Sequence, residues 1–267
     1  MIKSQDTPLG FMRRSIQGVD YWQRRTISGG DLFLTQFGLT FAEQLDPEQW
    51  LSEPWFGSHR RKLRGTSAIY YTVTKPIRGR SLELVVRYNR VGQDLPVDTM
   101  TRDHYTHAAF NSPFEEIAEL YLLRAARLDS RQQRFFTKRP LAVYSPPTRL
   151  ELWQTGRSES QIAAKQARSP EIQLDILRPY ILVYGWIQGI DMQDAADGFG
   201  LQSASGQNVR QETMAEVEGE LAKAGFRVLD MKPAHIIVRL SKDGKLLRRK
   251  NGRLVYALID YELLERF

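Results

Sequence analysis

Three extended segments follow one another with only turn residues between them, and this run constrains the fold more than any other feature of the chain. Arg60 to Arg64 and Ala68 to Thr74 flank Gly65-Thr66-Ser67, and Leu82 to Arg90 is entered through Gly79-Arg80-Ser81. Connections this short join antiparallel neighbours, because a parallel pair needs a long crossover. Ser112-Pro113-Phe114-Glu115 then opens a helix, with Ser112 as N-cap, Pro113 as first helical residue and Glu115 as the capping-box partner. The helix is predicted to run to Leu128. Further strands are expected at Leu141 to Tyr144, Tyr180 to Ile187, Val228-Leu229, Ile236 to Leu240 and Leu254 to Ile259. A second helix is expected from Gln211 to Ala224, with Gly225 placed to cap it. Strands and helices are segregated rather than alternating, so the fold class is α+β.

The remaining stretches carry weaker patterns. Residues 1–30 read as irregular. Residues 31–57, with Trp50, Trp55 and Phe56, read as a partly helical, aromatic-rich extension, and Asp46-Pro47 has the form of a helix start. Residues 148–176 are polar and read as a helical insertion.

An apolar fraction of 42% in 267 residues is enough for a sizeable core and excludes wholesale disorder. With no cysteine, disulfides and thiolate metal sites are excluded, and a reducing cytoplasm is the expected compartment. Residues 1–30 have no apolar core of the signal-peptide kind, and no apolar run approaches the roughly 18 residues that span a bilayer. The net charge of +7 attracts phosphates, nucleic acid or anionic membranes without choosing among them. The cluster Arg248-Arg249-Lys250 precedes Asn251-Gly252, a hairpin tip, and reads as a solvated turn; nucleic-acid binding rests on charge alone. His104 and His107, beside Asp103, read as an exposed loop, with a metal site the alternative. There is no Walker loop, HExxH or Gly-x-Ser-x-Gly elbow.

Two short motifs near the end carry chemistry. Asp230-Met231-Lys232-Pro233-Ala234-His235 resembles the D-x-K-P-x-N catalytic loop of protein kinases and of their bacterial antibiotic- and lipopolysaccharide-sugar-kinase relatives. Ile259-Asp260-Tyr261-Glu262, after an intervening strand pair, resembles the family's metal-binding D-[FWY]-E. The resemblance implies a kinase-like fold of two lobes, an antiparallel N-lobe sheet and a short helical C-lobe. It implies ATP and Mg2+ as cofactors. Asp230 would orient an acceptor hydroxyl and take its proton, and Lys232 would neutralise charge on the moving phosphoryl group. His235, in place of the usual Asn, and Asp260 would hold magnesium, with Glu262 reaching a second ion. The resemblance spans residues 58–267. It divides the chain into an extension (1–57), an N-lobe (58–187) and a partial C-lobe (188–267).

Upstream, the same resemblance assigns a nucleotide loop to Gly65, Thr66 and Ser67, though with one glycine where the family has three. Arg87 in Leu84-Val85-Val86-Arg87 takes the place of the family's ion-pairing lysine, or else is a structural partner. Its acidic partner would be Glu119 or, as close second, Glu116. The Gly185 carbonyl and the Ile187 amide would bond adenine, and Asp191 a ribose hydroxyl. Seven residues follow Asp260, so the usual activation segment and peptide-docking helices are expected to be missing. The acceptor is then as readily a small molecule, sugar or lipid headgroup as a protein. A pseudokinase that binds nucleotide or regulates a partner is the second reading.

Overall fold

The computed structural model of the protein describes residues 10–65, 67–95, 108–127, 134–168, 170–171, 173–198, 204–242 and 245–267. His104 and His107 lie outside the described residues, as does Thr66. The architecture is α+β, with a large antiparallel sheet and few helices. The chain forms two compact units. Unit 1 comprises Met1–Pro96, Ala109–Ala118 and Arg139–Trp186, and unit 2 comprises Val97–Ala108, Glu119–Lys138 and Ile187–Phe267.

Unit 1 is built on an eight-stranded sheet. Its strands are β1 (Met12–Ile16), β2 (Val19–Arg25), β3 (Asp31–Thr35), β4 (Arg61–Lys62), β5 (Ile69–Val73), β6 (Glu83–Tyr88), β7 (Pro140–Ser145) and β8 (Ile181–Gly185). Their order is β1-β2-β3-β7-β8-β6-β5-β4, and every neighbouring pair is antiparallel. The predicted run of three strands is therefore present as β4-β5-β6.

Residues 1–30, expected to be irregular, instead hold the hairpin β1-β2. Its turn residues Gln17 and Gly18 both have positive φ, the geometry that matches the twist of a two-residue hairpin. The pattern was hidden because β1 is an edge strand whose Met12, Arg13, Arg14 and Ser15 all face solvent. Exposed cations on an edge also discourage pairing with another chain. Residues 31–57 are likewise more than a helical extension, since β3 lies in the middle of the sheet.

Side chains alternate across a strand, so the registers sort residues onto two faces. Trp22, Leu34, Ala142, Val183 and Val86 stand in one row across five strands. Over this face lie Leu45 and Trp50, both fully buried, the first between the two short 3-10 turns Leu39–Phe41 and Pro47–Gln49 and the second just after them. Asp46 caps the second turn, accepting from the Glu48 amide at 3.1 Å, and Trp50 donates Nε1 to the Leu45 carbonyl at 3.1 Å. The cover sits so close that a Cβ added at Gly38 would lie 2.2 Å from the Leu141 carbonyl oxygen. Gly38→Ala is therefore expected to cost about 1–3 kcal/mol by forcing backbone apart, measured as a lowered urea midpoint.

The opposite face is covered by the first turns of helix α2 (Pro113–Ala125), the second helix after α1 (Trp55–His59). The capping box forms as predicted: the Ser112 amide donates to Glu115 Oε2 at 2.7 Å and the Glu115 amide to Ser112 Oγ at 3.1 Å. Phe114 then meets Tyr21 and Phe33 edge-on. The polar stretch 148–176 contributes α3 (Leu152–Thr155) and α4 (Glu159–Arg168), and α4 sends Lys165 to Glu115 Oε2 at 2.8 Å.

Unit 2 holds α5 (Met192–Gly198) and α6 (Ala204–Lys223), the sheet β12-β11-β9 and the pair β10-β13. These strands are β9 (Ile190–Asp191), β10 (Phe226–Val228), β11 (Ile236–Val238), β12 (Tyr256–Leu258) and β13 (Leu264–Arg266). Gly225 ends α6 with φ +76°, the left-handed conformation expected of it. Between β11 and β12 the chain makes a meander of two turns rather than one long hairpin. The Leu247 amide donates to Arg239 and its carbonyl accepts from Val255, so the middle strand is flanked on both sides.

The meander is tied to α6 by ionic contacts. Arg248 reaches Glu216 at 2.9 Å, Arg253 donates Nε to Glu220 at 2.7 Å, and the Tyr256 hydroxyl donates to Glu220 at 2.8 Å. Burial, then the Glu220 carboxylate, pushes the Tyr256 phenol pKa up from its ordinary 10.0. The folded state thus holds this proton more tightly than the unfolded chain. The stabilisation is complete below pH 10 and is lost as pH rises beyond it. Stability is expected to fall above about pH 10, and Tyr256→Phe to flatten that fall, read from urea midpoints across the alkaline range.

Candidate functional site

The geometry of unit 2 gathers the two chemical motifs on neighbouring loops. β11 and β12 are antiparallel, with Ile236 opposite Leu258. The loop entering β11 and the loop leaving β12 therefore emerge at the same end. The Ile259 amide donates to the His235 carbonyl at 3.0 Å, and the Leu229 amide to the Leu263 carbonyl at 3.1 Å, so both flanks of the loops are fastened. The result is that His235 Nε2 stands 3.3 Å from Asp260 Oδ2. His235 Nδ1 is buried without a hydrogen-bond partner, and such an orphaned polar atom in a native site calls for a functional or solvent explanation.

Asp230 lies on the same loop as His235, in the turn after β10, and its carboxylate pairs with Lys232 at 2.8 Å. Both side chains remain accessible, at 32% for Asp230 and 48% for Lys232. Pro233 starts a single 3-10 turn to His235, in which the His235 amide donates to the Lys232 carbonyl. Proline fixes φ where that turn begins, so the loop conformation is partly set by sequence.

Tyr261 anchors the second loop. Its hydroxyl donates to the Leu258 carbonyl and accepts from the Lys138 amide at 2.8 Å, and the ring is 1% exposed. Asp260 Oδ1 accepts from the Glu262 amide at 3.1 Å, a side-chain turn that fixes the carboxylate next to its own backbone. Glu262 itself is buried.

Unit 1 has its own polar cluster. Arg87 on β6 pairs with Glu116 on α2, and the Tyr184 hydroxyl of β8 donates to the other Glu116 oxygen. Arg87 is 3% exposed and Glu116 fully buried. Of the two acidic partners foreseen, Glu116 meets Arg87. Glu119 instead accepts from Arg266 at 3.1 Å within unit 2.

The remaining site residues foreseen from the sequence are placed as follows. Gly65 and Ser67 lie in the connection between β4 and β5, with Ser67 buried. Gly185 ends β8, and its amide donates to the Arg139 carbonyl at 3.0 Å. Ile187 is half-buried at the start of the last stretch of unit 2. Asp191 caps α5, accepting from the Asp194 amide at 2.8 Å. Sequence reasoning missed Tyr184 as a Glu116 partner, Lys165 as the partner of Glu115, and Tyr261 as the anchor of the Asp260 turn. Each acts across a long stretch of chain, and no local pattern marks it.

Magnesium takes oxygen ligands and is commonly held by one or two carboxylates together with substrate phosphates and water. Among the described residues, no three His, Asp or Glu side chains gather as a metal cluster. Asp260 fits as the single carboxylate of such a site. The imidazole of His235 fits an adjoining hydrogen-bonding role better than a ligand role for so hard a cation.

No family model and no curated protein matches the sequence. Solved structures are similar to it at low identity, three of them as follows. One is WaaP in complex with acyl carrier protein, with TM-score 0.37, 13% identity, and coverage of 81% of this chain and 72% of that one. Another is WbdD with the kinase inhibitor LY294002, with TM-score 0.31, 12% identity, and coverage of 78% and 35%. A third is the Rv3197–erythromycin complex from Mycobacterium tuberculosis, with TM-score 0.29, 13% identity, and coverage of 86% and 52%.

Proposed function

We propose that the chain is a phosphotransferase of the kinase-like superfamily that uses ATP and magnesium and delivers phosphate to a hydroxyl group. The observation that carries this reading is the pairing of β11 with β12, which brings His235 to 3.3 Å from Asp260 while Asp230 and Lys232 stand accessible on the His235 loop. Phosphoryl transfer asks little covalent chemistry of a protein; it asks for positioned charge. Asp230 would orient the acceptor hydroxyl and accept its proton. Lys232, released from Asp230, would meet the phosphoryl oxygens. Asp260 would hold magnesium, which supplies charge neutralisation on the nucleotide phosphates. His235 would steady the Asp260 carboxylate. The acceptor class is open to a small molecule, a sugar or a protein.

A second reading, a nucleotide-binding or partner-regulating pseudokinase, draws on Arg87. Its guanidinium is buried and paired with Glu116, whose other oxygen accepts from Tyr184, a structural use of the position that the family gives to a nucleotide-facing lysine. A thermal-shift titration separates the readings. ATP with magnesium at about a hundred times Kd stabilises a folded protein by roughly 2.7 kcal/mol. That predicts a rise of several degrees in wild type, abolished by Asp260→Ala. No shift with or without magnesium would sink the enzyme reading and the nucleotide-binding form of the second. A shift without turnover, across a broad set of hydroxyl acceptors, would favour the pseudokinase.

A further inference from the structure

The meander between β11 and β12 has two unlike faces. The isolated pairs Leu240 with Leu246 and Arg248 with Leu254 put these four residues on one face, where Arg248 and the Leu254 amide contact Glu216 of α6. Residues one step along each strand point the other way. That outer face carries Arg239, Leu247, Arg249 and Val255, with Lys250 at the tip. Phe136 joins it, because the Arg249 guanidinium lies 5.6 Å from the centre of its ring.

Two features of this face are unusual together. Phe136 is 59% exposed and Leu247 37% exposed, among the few large apolar side chains that unit 2 leaves in solvent. Around them, Arg239, Arg249 and Lys250 form no ion pair with a described residue, whereas Arg248 and Arg253 on the same meander are neutralised by Glu216 and Glu220. The α6 side of the meander is thus charge-balanced, and the outer side is cationic and apolar.

We propose that this outer face docks on an anionic lipid bilayer. Cations at such a surface are drawn to acidic headgroups, and a protruding Phe and Leu enter the headgroup–acyl boundary, where apolar side chains are stabilised. A nucleic-acid backbone would satisfy the cations but gives no comparable return for an exposed leucine. Among the described residues no helix is long and apolar enough to cross a membrane, so the contact would be peripheral. The proposal is independent of the chemistry at Asp230 and Asp260.

The test is co-sedimentation of the full chain with vesicles of phosphatidylcholine alone or mixed with phosphatidylglycerol, over a range of salt. Binding is expected only to the mixed vesicles and should weaken as salt rises. Phe136→Ser with Leu247→Ser keeps the charge and should weaken binding about tenfold or more. Arg249→Glu with Lys250→Glu should abolish it. Phe136, Leu247 and Lys250 are exposed and Arg249 is half-buried without an ion pair to a described residue, so both variants should keep the wild-type circular dichroism and melting temperature. Equal pelleting with neutral and mixed vesicles would overturn the proposal. So would a Phe136/Leu247 variant that binds like wild type, or tight capture of an oligonucleotide by a protein that leaves the vesicles in solution.

Discussion

Arg87→Met is expected to destabilise the protein by about 3–5 kcal/mol, the usual cost of stripping one partner from a buried ion pair. The arrangement makes the loss severe. Glu116 is fully buried, and its two oxygens are taken by Arg87 and Tyr184. Without the guanidinium, the carboxylate must either stay charged in an apolar setting or take up a proton. Both cost free energy. Removing both charges is a different matter, because the pair itself repays little beyond its own desolvation. Arg87→Met combined with Glu116→Leu is therefore expected to recover at least half of the loss. Urea unfolding of the two single variants and the double variant checks this. A single Arg87→Met that costs under about 1 kcal/mol would mean that the pair is far better solvated than its burial indicates.

Asp230→Asn is expected to lower turnover about a hundredfold to ten-thousandfold, the range for a positioned general base, while leaving the fold intact. Asn preserves the shape of the side chain and its ability to orient a hydroxyl, but it cannot accept the proton. Asp230 is accessible and its one described partner is Lys232, so no buried group is orphaned by the change. Steady-state release of ADP with a productive acceptor measures the effect. Unchanged turnover in Asp230→Asn would falsify the role given to this residue, even if nucleotide still bound.

Much of the sheet was legible because its signals are local. β4, β5 and β6 are joined by turn residues, and the Ser112–Glu115 capping box announces α2 within four residues of chain. β1 and β2 were not legible. An edge strand with one buried residue has no apolar alternation to read, and the positive φ at Gln17 gives no warning in a residue of that type. The insertion of β7 and β8 between β3 and β6 is equally silent, since strand order across a crossover is fixed by packing rather than by neighbours in sequence.

The candidate site divides the same way. Asp230, Lys232, His235 and Asp260 could be found because each sits in a short motif. The choice between Glu116 and Glu119 could not. Residues three apart share a helix face, and only the entry point of α2 over β6 brings Glu116 to Arg87. Asp191 carries a second local role. Its place in the resemblance suggests a ribose contact, and its carboxylate also caps α5, a use for which aspartate is favoured wherever a helix begins and which the sequence reading did not foresee.

The proposed chemistry turns on Asp260 holding magnesium for a nucleotide while Asp230 serves the acceptor. Calorimetric titration of ATP into wild type, Asp230→Asn and Asp260→Ala, with and without magnesium, reads this directly. Wild type and Asp230→Asn should bind ATP with magnesium at similar affinity, and Asp260→Ala should lose the magnesium-dependent part. Equal, magnesium-independent binding by all three proteins, or no binding by wild type, would contradict the account.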